Sequence, residues 1–449
     1  MDVTSGKELC WKVLDMARKA GVQQSDVILQ RGHSLSLQAQ GGKLDKTKVT
    51  STQVLGIRVL QDQKVGISAT ESLDEDSLMR MIDQALGASR YAHADPYQRI
   101  EQKNAADIIH DDPKLNQADQ ASLQEKVEVA MALERQVLEK DKRIHNAPYS
   151  GYSDGDGEYF YANHLGTFCY QRARSFSCYT SALAGEEGAQ AMFSGSSISR
   201  NFQGLSVEAC VEEASSNALS LLSAKSIPTG RYDVIFRIDE WESLMSAFLG
   251  AFSAKAAMEG TAYYRDKVGQ TMASSLLYLR DCPQYADGFS PSLFDDEGAP
   301  RKDLTLIDRG ELKSLLHNSA TARYYKLPNT AHGARGARSS LGTGATQLVL
   351  EPGTSTESDL YAGQVLKVID LKGLHSGTNA ISGHFSLAIE GILYQNGQIQ
   401  QYVKDVTLSG NFYELIKEIQ AAGKVLEASS SLSFFSPTLR FGGLSLAGA

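Results

Sequence analysis

Histidine is the first residue type to examine in a chain of this length, because it ligates metals and moves protons near neutral pH. The nine histidines stand at positions 33, 93, 110, 145, 164, 317, 332, 375 and 384. A helical metal motif needs two imidazoles four or five residues apart with a glutamate beside one, so that both reach one ion. No two of these histidines lie closer than nine residues, which excludes a local motif of that kind. A metal assembled from distant residues, such as His375, His384 and Glu390, stays open, with ordinary hydrogen-bonded strand and loop histidines as the plainer alternative. No Gly-x-Ser-x-Gly nucleophile elbow is expected, and Ser194-Gly-Ser-Ser and Ser429-Ser-Ser read as loops by composition. Gly151-Tyr-Ser-Asp-Gly-Asp-Gly157 resembles a fragment of a calcium loop. It lacks the helix and the glutamate that should follow, so an acidic turn is the expectation there. The five cysteines (10, 169, 178, 210, 282) show no Cys-x-x-Cys spacing and read as reduced structural thiols.

The composition frames these absences. A chain of 449 residues exceeds one hydrophobic core. With 42% hydrophobic and 22% charged residues it has the make-up of an ordinary soluble protein. No apolar run approaches a membrane span, and the first residues carry no signal-peptide pattern, so a cytoplasmic location is expected. The net charge of −9 weighs against nucleic acid as the main partner.

The elements that would position any site follow from periodicity and punctuation. Ser5-Gly-Lys-Glu8 reads as a capping box for a first helix ending at Gly21. Strands are expected at 26–30 and 34–40, joined by Arg31-Gly32-His33, and at 53–60 and 64–69, joined through 61–63. Ser72 and Ser122 read as caps of two further helices. Strands return between Glu158 and Leu183, with a turn at 163–166, and a helix spans about Val207 to Leu222. Ile227-Pro-Thr-Gly230 is the clearest boundary, which divides the chain into 1–228 and 229–449. The second part begins with a strand at 232–238. A helix follows from Glu240 to Met258, apolar on most sides and therefore buried. A hairpin turns at Arg309-Gly310, and a short helix begins at Asn411 and ends at Gly423.

The stretch from Gly363 to Val403 organises the second part. Val365, Val368 and Ile369 form a β-branched strand. Phe385, Leu387 and Ile389 alternate with His384, Ser386, Ala388 and Glu390 as a half-buried strand. Asn396-Gly397 supplies a two-residue turn whose central positions need positive φ. Between the two strands lies a glycine-punctuated loop, 373–383, free to approach a ligand or a neighbouring chain, or simply to connect. The expected fold class is α+β. An N-terminal antiparallel sheet with helices precedes a C-terminal β-rich, barrel-like domain with a buried helix.

Together these features resemble the TldD/PmbA family (PmbA is also called TldE), long described as modulators of DNA gyrase. The course from Gly32 to Ala69 is similar to the family's N-terminal domain. Gly373-Leu-His-Ser-Gly-Thr-Asn-Ala-Ile-Ser-Gly-His-Phe-Ser386, Tyr394-Gln-Asn-Gly-Gln-Ile399 and Val406-Thr-Leu-Ser-Gly-Asn411 are similar to its C-terminal domain. TldD-type subunits carry His-Glu-x-x-x-His on the buried helix and a late cysteine, which together bind zinc. Here the matching helix reads Met245-Ser-Ala-Phe-Leu-Gly250, and Cys282 is the last cysteine. The resemblance therefore implies the PmbA/TldE arm, with no catalytic residue, no metal ligand and no cofactor in this chain.

The implied function is that of a non-catalytic subunit. It would supply substrate-binding wall and assembly to a TldD-type zinc-binding partner that degrades or matures unfolded peptides. A homodimer is possible when the chain is alone, and neither membrane nor nucleic acid is implied. The alternatives are a stand-alone binding or regulatory protein of the gyrase-modulator type, and a hydrolase with an unrecognised site. The residues expected to meet peptide or partner are His375, Gly377, Asn379, Ser382 and Gly383.

Overall fold

The computed structural model describes residues 3–448. Residues 24–199 build a first sheet from β1 (Gln24–Gln40), β2 (Lys43–Gln61), β3 (Lys64–Thr70), β4 (Ile108–His110), β5 (Ile144–Asn146), β6 (Ser150–Asn163), β7 (Phe168–Glu186) and β8 (Ala189–Ser199). The order β3-β2-β1-β6-β7 is antiparallel, with β8 antiparallel and the short β4 parallel on β7. One face is covered by α1 (Val3–Lys19), α2 (Glu75–Tyr91), α3 (Leu123–Lys140) and α4 (Val207–Leu222). Alternation decides which side chains they meet: Val27, Leu29, Ile57, Val59 and Phe160 lie under α1 and α2. At one end the opposite face is buried as well, where Ile28, Tyr161 and Cys169 pack on Phe294 and Ala337 of the second half.

The second half runs β9 (Gly230–Phe236), α5 (Ile238–Phe248), α6 (Ala254–Met258), β10 (Leu279–Asp281), β11 (Leu304–Asp308), β12 (Glu311–Leu312), α7 (Ser319–Tyr325), β13 (Gly333–Ala334), β14 (Gly342–Thr343) and β15 (Leu348–Leu350). It continues with α8 (Glu357–Leu360), β16 (Gln364–Lys372), α9 (Leu374–Gly377), β17 (His384–Gln395), β18 (Gln398–Asn411), α10 (Phe412–Leu415), β19 (Ile419–Ala428) and β20 (Phe434–Ala447). Strands β9, β16, β17, β18 and β20 pair in a ring, because β20 bonds both β18 and β9. Closure of this kind removes free edges. The ring packs its apolar residues with those of α5: Val234, Leu366, Leu387, Val406 and Phe441 share a core with Trp241, Leu244 and Phe248. The α+β class, the antiparallel first sheet and the barrel-like second part with a buried helix are all present.

Several local expectations need correction, and glycine explains most of them. Arg31-Gly32-His33 is no turn, since β1 runs unbroken through it with Gly32 opposite Thr52 and Gly157. A Cβ at Gly32 would lie 3.1 Å from the Asp156 carbonyl oxygen of the paired strand β6, so the glycine serves a close approach of neighbouring strands. Gly151 to Gly157 is likewise strand β6 rather than an acidic turn; a Cβ at Gly151 would stand 2.7 Å from the Leu37 carbonyl oxygen. Gly151-Tyr-Ser-Asp-Gly155 does carry the Gly-x-Ser-x-Gly spacing. It lies flat within β6, and Ser153 Oγ is 2.8 Å from Ser177 Oγ, so it forms no nucleophile elbow. Ser194-Gly-Ser-Ser belongs to β8.

Caps and helix ends moved too. Helix α1 is already formed at Val3, ahead of Ser5. Asp74, not Ser72, caps α2 by accepting from the Ser77 amide at 2.9 Å. The long helix expected from 240 to 258 breaks after Phe248: a 3-10 turn covers Leu249–Phe252, and Ser253 caps α6 by accepting from the Ala256 amide. The helix begun by Asn411 ends at Leu415, and 419–428 is strand.

Candidate functional site

The loop 373–383 is ordered by its own hydrogen bonds. Gly373, at φ 81°, leads into α9. Asn379 then builds a turn, its side-chain oxygen accepting from the amides of Ile381 at 3.1 Å and Ser382 at 3.0 Å. Its backbone closes the turn, with the Asn379 amide donating to the His384 carbonyl at 2.9 Å and the Gly383 amide to the Asn379 carbonyl at 2.8 Å. The loop thereby lies along the start of β17, bridging Thr378 to Phe385. That edge is occupied by the chain itself, not left open for another strand.

The glycines in the loop meet this chain's own atoms. A Cβ at Gly377 would lie 2.4 Å from the Ser386 carbonyl oxygen, and one at Gly383, whose φ is 83°, 2.4 Å from the Tyr413 ring. His375, Asn379 and Ser382 are exposed. Beyond them the outer face of the ring is a flat field of small side chains: His384, Ser386 and Ala388 on β17, paired with Asn411, Ser409 and Thr407 on β18. Ser445 and Ala447 extend it onto β20. His384 therefore faces outward, and Glu390 is held by Lys372 at 2.6 Å. Among the described residues no group of three or more His, Cys, Asp or Glu side chains is placed to hold a metal ion.

Helix α5 lies beneath this loop. Leu374 and Ala380 of the loop pack on the core that α5 enters, and the Tyr413 hydroxyl donates to the Ala380 carbonyl. Apolar side chains fill the place: Phe248 stacks on Phe412 with centroids 4.5 Å apart, and Tyr413 stacks on Tyr263 at 3.6 Å. The six positions from Met245 to Gly250, which the resemblance aligns with the zinc motif of TldD-type subunits, do not fit a metal. Met245 is 1% exposed inside the apolar core, while Gly250 is exposed on the 3-10 turn. They supply no imidazole, carboxylate or thiolate, only the Met245 thioether and the Ser246 hydroxyl, and no common face.

A second constellation was not foreseen in the sequence. Where the two sheets meet, Asp26 and Arg58 on the first sheet face Arg335 and Glu297 from the second half, all buried. Arg58 Nε donates to Asp26 at 3.0 Å, Arg335 pairs with the same carboxylate, and Arg58 stands 3.6 Å from Glu297. Tyr159 donates to Asp296 at 2.7 Å, as does the Arg335 amide. Asp295 accepts from the amides of Gly333, Glu297 and Ala299; burial and the neighbouring Glu297 nevertheless push its carboxyl up to about 7. His332 is held 2.7 Å from Asp281, and burial, with His332 nearby, lowers His317 to about 4. Alternation shows only that Ile57 and Val59 face one way; nothing in it reveals that Arg58, facing the other way, is covered too.

Three matches to family models span most of the chain. Residues 25–89 match PmbA/TldA metallopeptidase domain 1, residues 116–222 the central domain, and residues 229–448 the C-terminal domain. The first two models divide strands that here belong to one sheet. Metalloprotease PmbA of Escherichia coli O157:H7 is 25% identical over 446 residues, covering 96% of each chain. The metalloprotease PmbA homolog of Haemophilus influenzae is 24% identical over 93% of this chain and 91% of its own. Among solved structures, a candidate DNA gyrase modulator from Thermotoga maritima superposes with a TM-score of 0.87 at 25% identity, over 98% of this chain and all of its own. TldE from Thermococcus kodakarensis superposes with a TM-score of 0.83 at 20% identity, over 98% of this chain and 100% of its own, a likeness of fold.

Proposed function

The chain belongs to the PmbA/TldD metallopeptidase family, and from that premise we propose that it is the metal-free, non-catalytic subunit of a TldD/TldE-type zinc metalloprotease acting on unfolded peptides. The observation that carries the reading is the chemistry of α5. Met245 and Gly250 stand where the resemblance puts the two histidines of a TldD-type subunit, and Ser246 where it puts the glutamate, while the aromatic stack of Phe248 and Phe412 fills the core beside them. Zinc and the peptide-cleaving groups then belong to a TldD-type partner.

In this reading the partner docks on the loop 373–383 and the flat outer face of β17 and β18. His375, Asn379 and Ser382 present their side chains there, while Gly377 and Gly383 hold the loop close to Ser386 and Tyr413. Small side chains on paired strands let another surface approach closely. The unfolded peptide would lie in the cleft that the two subunits make together, with this chain as one wall. The reading also places the chain in the cytoplasm; among the described residues no helix is long and apolar enough to cross a membrane.

The test is assembly with activity. This chain and a TldD-type subunit, mixed after separate purification, should co-elute in size exclusion and cleave an unstructured peptide that neither cleaves alone. Ser386→Arg, on the exposed face, should weaken assembly by roughly tenfold or more while its unfolding temperature stays unchanged. Cleavage by this chain alone at the rate of the mixture would end the proposal.

A further inference from the structure

Strand β2 is paired on both sides for only part of its length. Its residues from Lys43 to Leu60 pair with β1, whereas β3 covers the other side only from Leu55 onward. Between Lys43 and Val54, no backbone or side-chain group among the described residues takes up the outward-pointing N–H and C=O groups. A free edge of this kind is a template for one more strand. The start of β17 differs, because there the loop 373–383 already fills the edge.

The side chains along β2 select which strand can add. Lys46 and Lys48 stand opposite Gln38 and Ser36 of β1, while Leu37 between those two shares a core with Ala130 of α3. The two lysines therefore project from the face turned away from the helices. They are exposed, about 7 Å apart along the strand, and carry no ion pair or side-chain hydrogen bond among the described residues. Thr47 and Val49 point to the opposite face, where Val49 is 77% exposed. From 43 to 54 the edge holds three lysines and one aspartate, Asp45, which is bulged out of the ladder, in a chain whose net charge is −9.

These features exclude other occupants. A second copy meeting this edge with its own would bring two net-positive strands together, and like charges across a strand pair are destabilising. A polynucleotide has no N–H and C=O ladder to match the edge, and three lysines offer few phosphate contacts. A strand with acidic side chains on the lysine face matches both the backbone groups and the charge. Lysines on an open edge ordinarily ward off other strands; the same charges admit this one class.

We propose that the open edge of β2 captures an extended acidic peptide as an added strand, with acidic residues beside Lys46 and Lys48 and an apolar residue beside Val49. Along the added strand the fitting pattern is acidic, any, acidic, apolar, in one chain direction or the other. This capture rests on the reading that the chain handles unfolded peptides, and it names their class. It is measured on this chain alone, whereas the subunit reading is measured by assembly, so either fails without the other.

The experiment follows fluorescence anisotropy of a labelled octapeptide, Thr-Ser-Glu-Thr-Glu-Val-Ser-Thr, titrated with the full chain. The peptide should bind about tenfold more tightly than its counterpart with glutamine for both glutamates, because two cross-strand charge pairs are lost. A permuted peptide, Thr-Ser-Glu-Glu-Thr-Val-Ser-Thr, puts its acids on opposite faces and should fall to the level of the glutamine form. N-methylation at alternate residues should weaken binding about tenfold in one of its two registers, the one that removes the donors facing the edge. The exposed double substitution Lys46→Glu with Lys48→Glu should remove the preference for the acidic peptide. The chain assembled with a TldD-type subunit should bind the peptide as the free chain does, since the loop 373–383 and β17 lie in the other half. Loss of peptide binding on assembly would give the edge to the partner subunit and overturn the peptide assignment. Equal binding of the acidic, glutamine and permuted peptides, no binding of any, indifference to both N-methylated forms, or a doubly substituted chain that keeps the preference would overturn the site.

Discussion

Two buried places in this molecule are filled by opposite means. Around α5 the space holds Trp241, Phe248, Phe412 and Tyr413, packed ring on ring. At the seam between the sheets it holds Asp26, Arg58, Glu297 and Arg335, packed charge on charge. The apolar filling is stable by area alone and tolerates no polar guest. The charged filling holds only while every partner is present, because each ion removed from water depends on its counter-ion. The charged filling leaves three of its own donors, Arg58 Nη1 and Arg335 Nε and Nη1, without a hydrogen-bond partner.

The comparison is broken most forcefully at the seam. Asp26→Ala leaves two buried guanidiniums without their shared carboxylate and should cost about 3–5 kcal/mol in chemical denaturation. A loss under about 1 kcal/mol would mean that water already reaches the pair. At α5 the matching experiment is Met245→His, which buries an imidazole among apolar side chains. It should cost about 1–3 kcal/mol and gain no zinc affinity; a stable variant that takes up zinc would contradict the account of this helix.

The finest comparison is in pH. Glu240 opens α5 with its side chain buried, and burial pushes its carboxyl up to about 7 despite Arg237 beside it. The fold thus holds the proton more firmly than the unfolded chain does. The stabilisation is complete below about 4.5 and is lost as pH rises toward 7. Glu240→Gln should flatten the stability profile between those values by about 1–3 kcal/mol. A profile unchanged by the substitution would show that Glu240 binds its proton no more firmly in the fold than in the unfolded chain.

How much was legible in the sequence follows the same division. Asn396-Gly397 was readable as a tight turn because both residues need positive φ, and they stand at 51° and 78°. The Ser122–Glu125 capping box was readable for a similarly local reason, and both of its hydrogen bonds form. Phe385, Leu387 and Ile389 were readable by period two. Glycines 32, 151 and 155 misled, because a glycine at a turn and a glycine pressed against its paired strand look alike without the neighbour. The break after Phe248 was hidden by a continuous run of small and apolar residues. The seam was hidden most completely: Asp26 and Arg335 lie 309 positions apart, and no local pattern announces that two outward-facing strand residues will share a buried partner. Of the candidate site, His375, Asn379 and Ser382 are exposed, and the intramolecular use of Gly377 and Gly383 needed coordinates.

The central claim is that α5 carries no metal and that a partner supplies one. The direct measurement is elemental analysis of each chain separated from an active assembly with a TldD-type subunit. The account predicts about one zinc in the partner and none in this chain. A stoichiometric zinc in this chain, removable by chelation together with the peptidase activity, would contradict it.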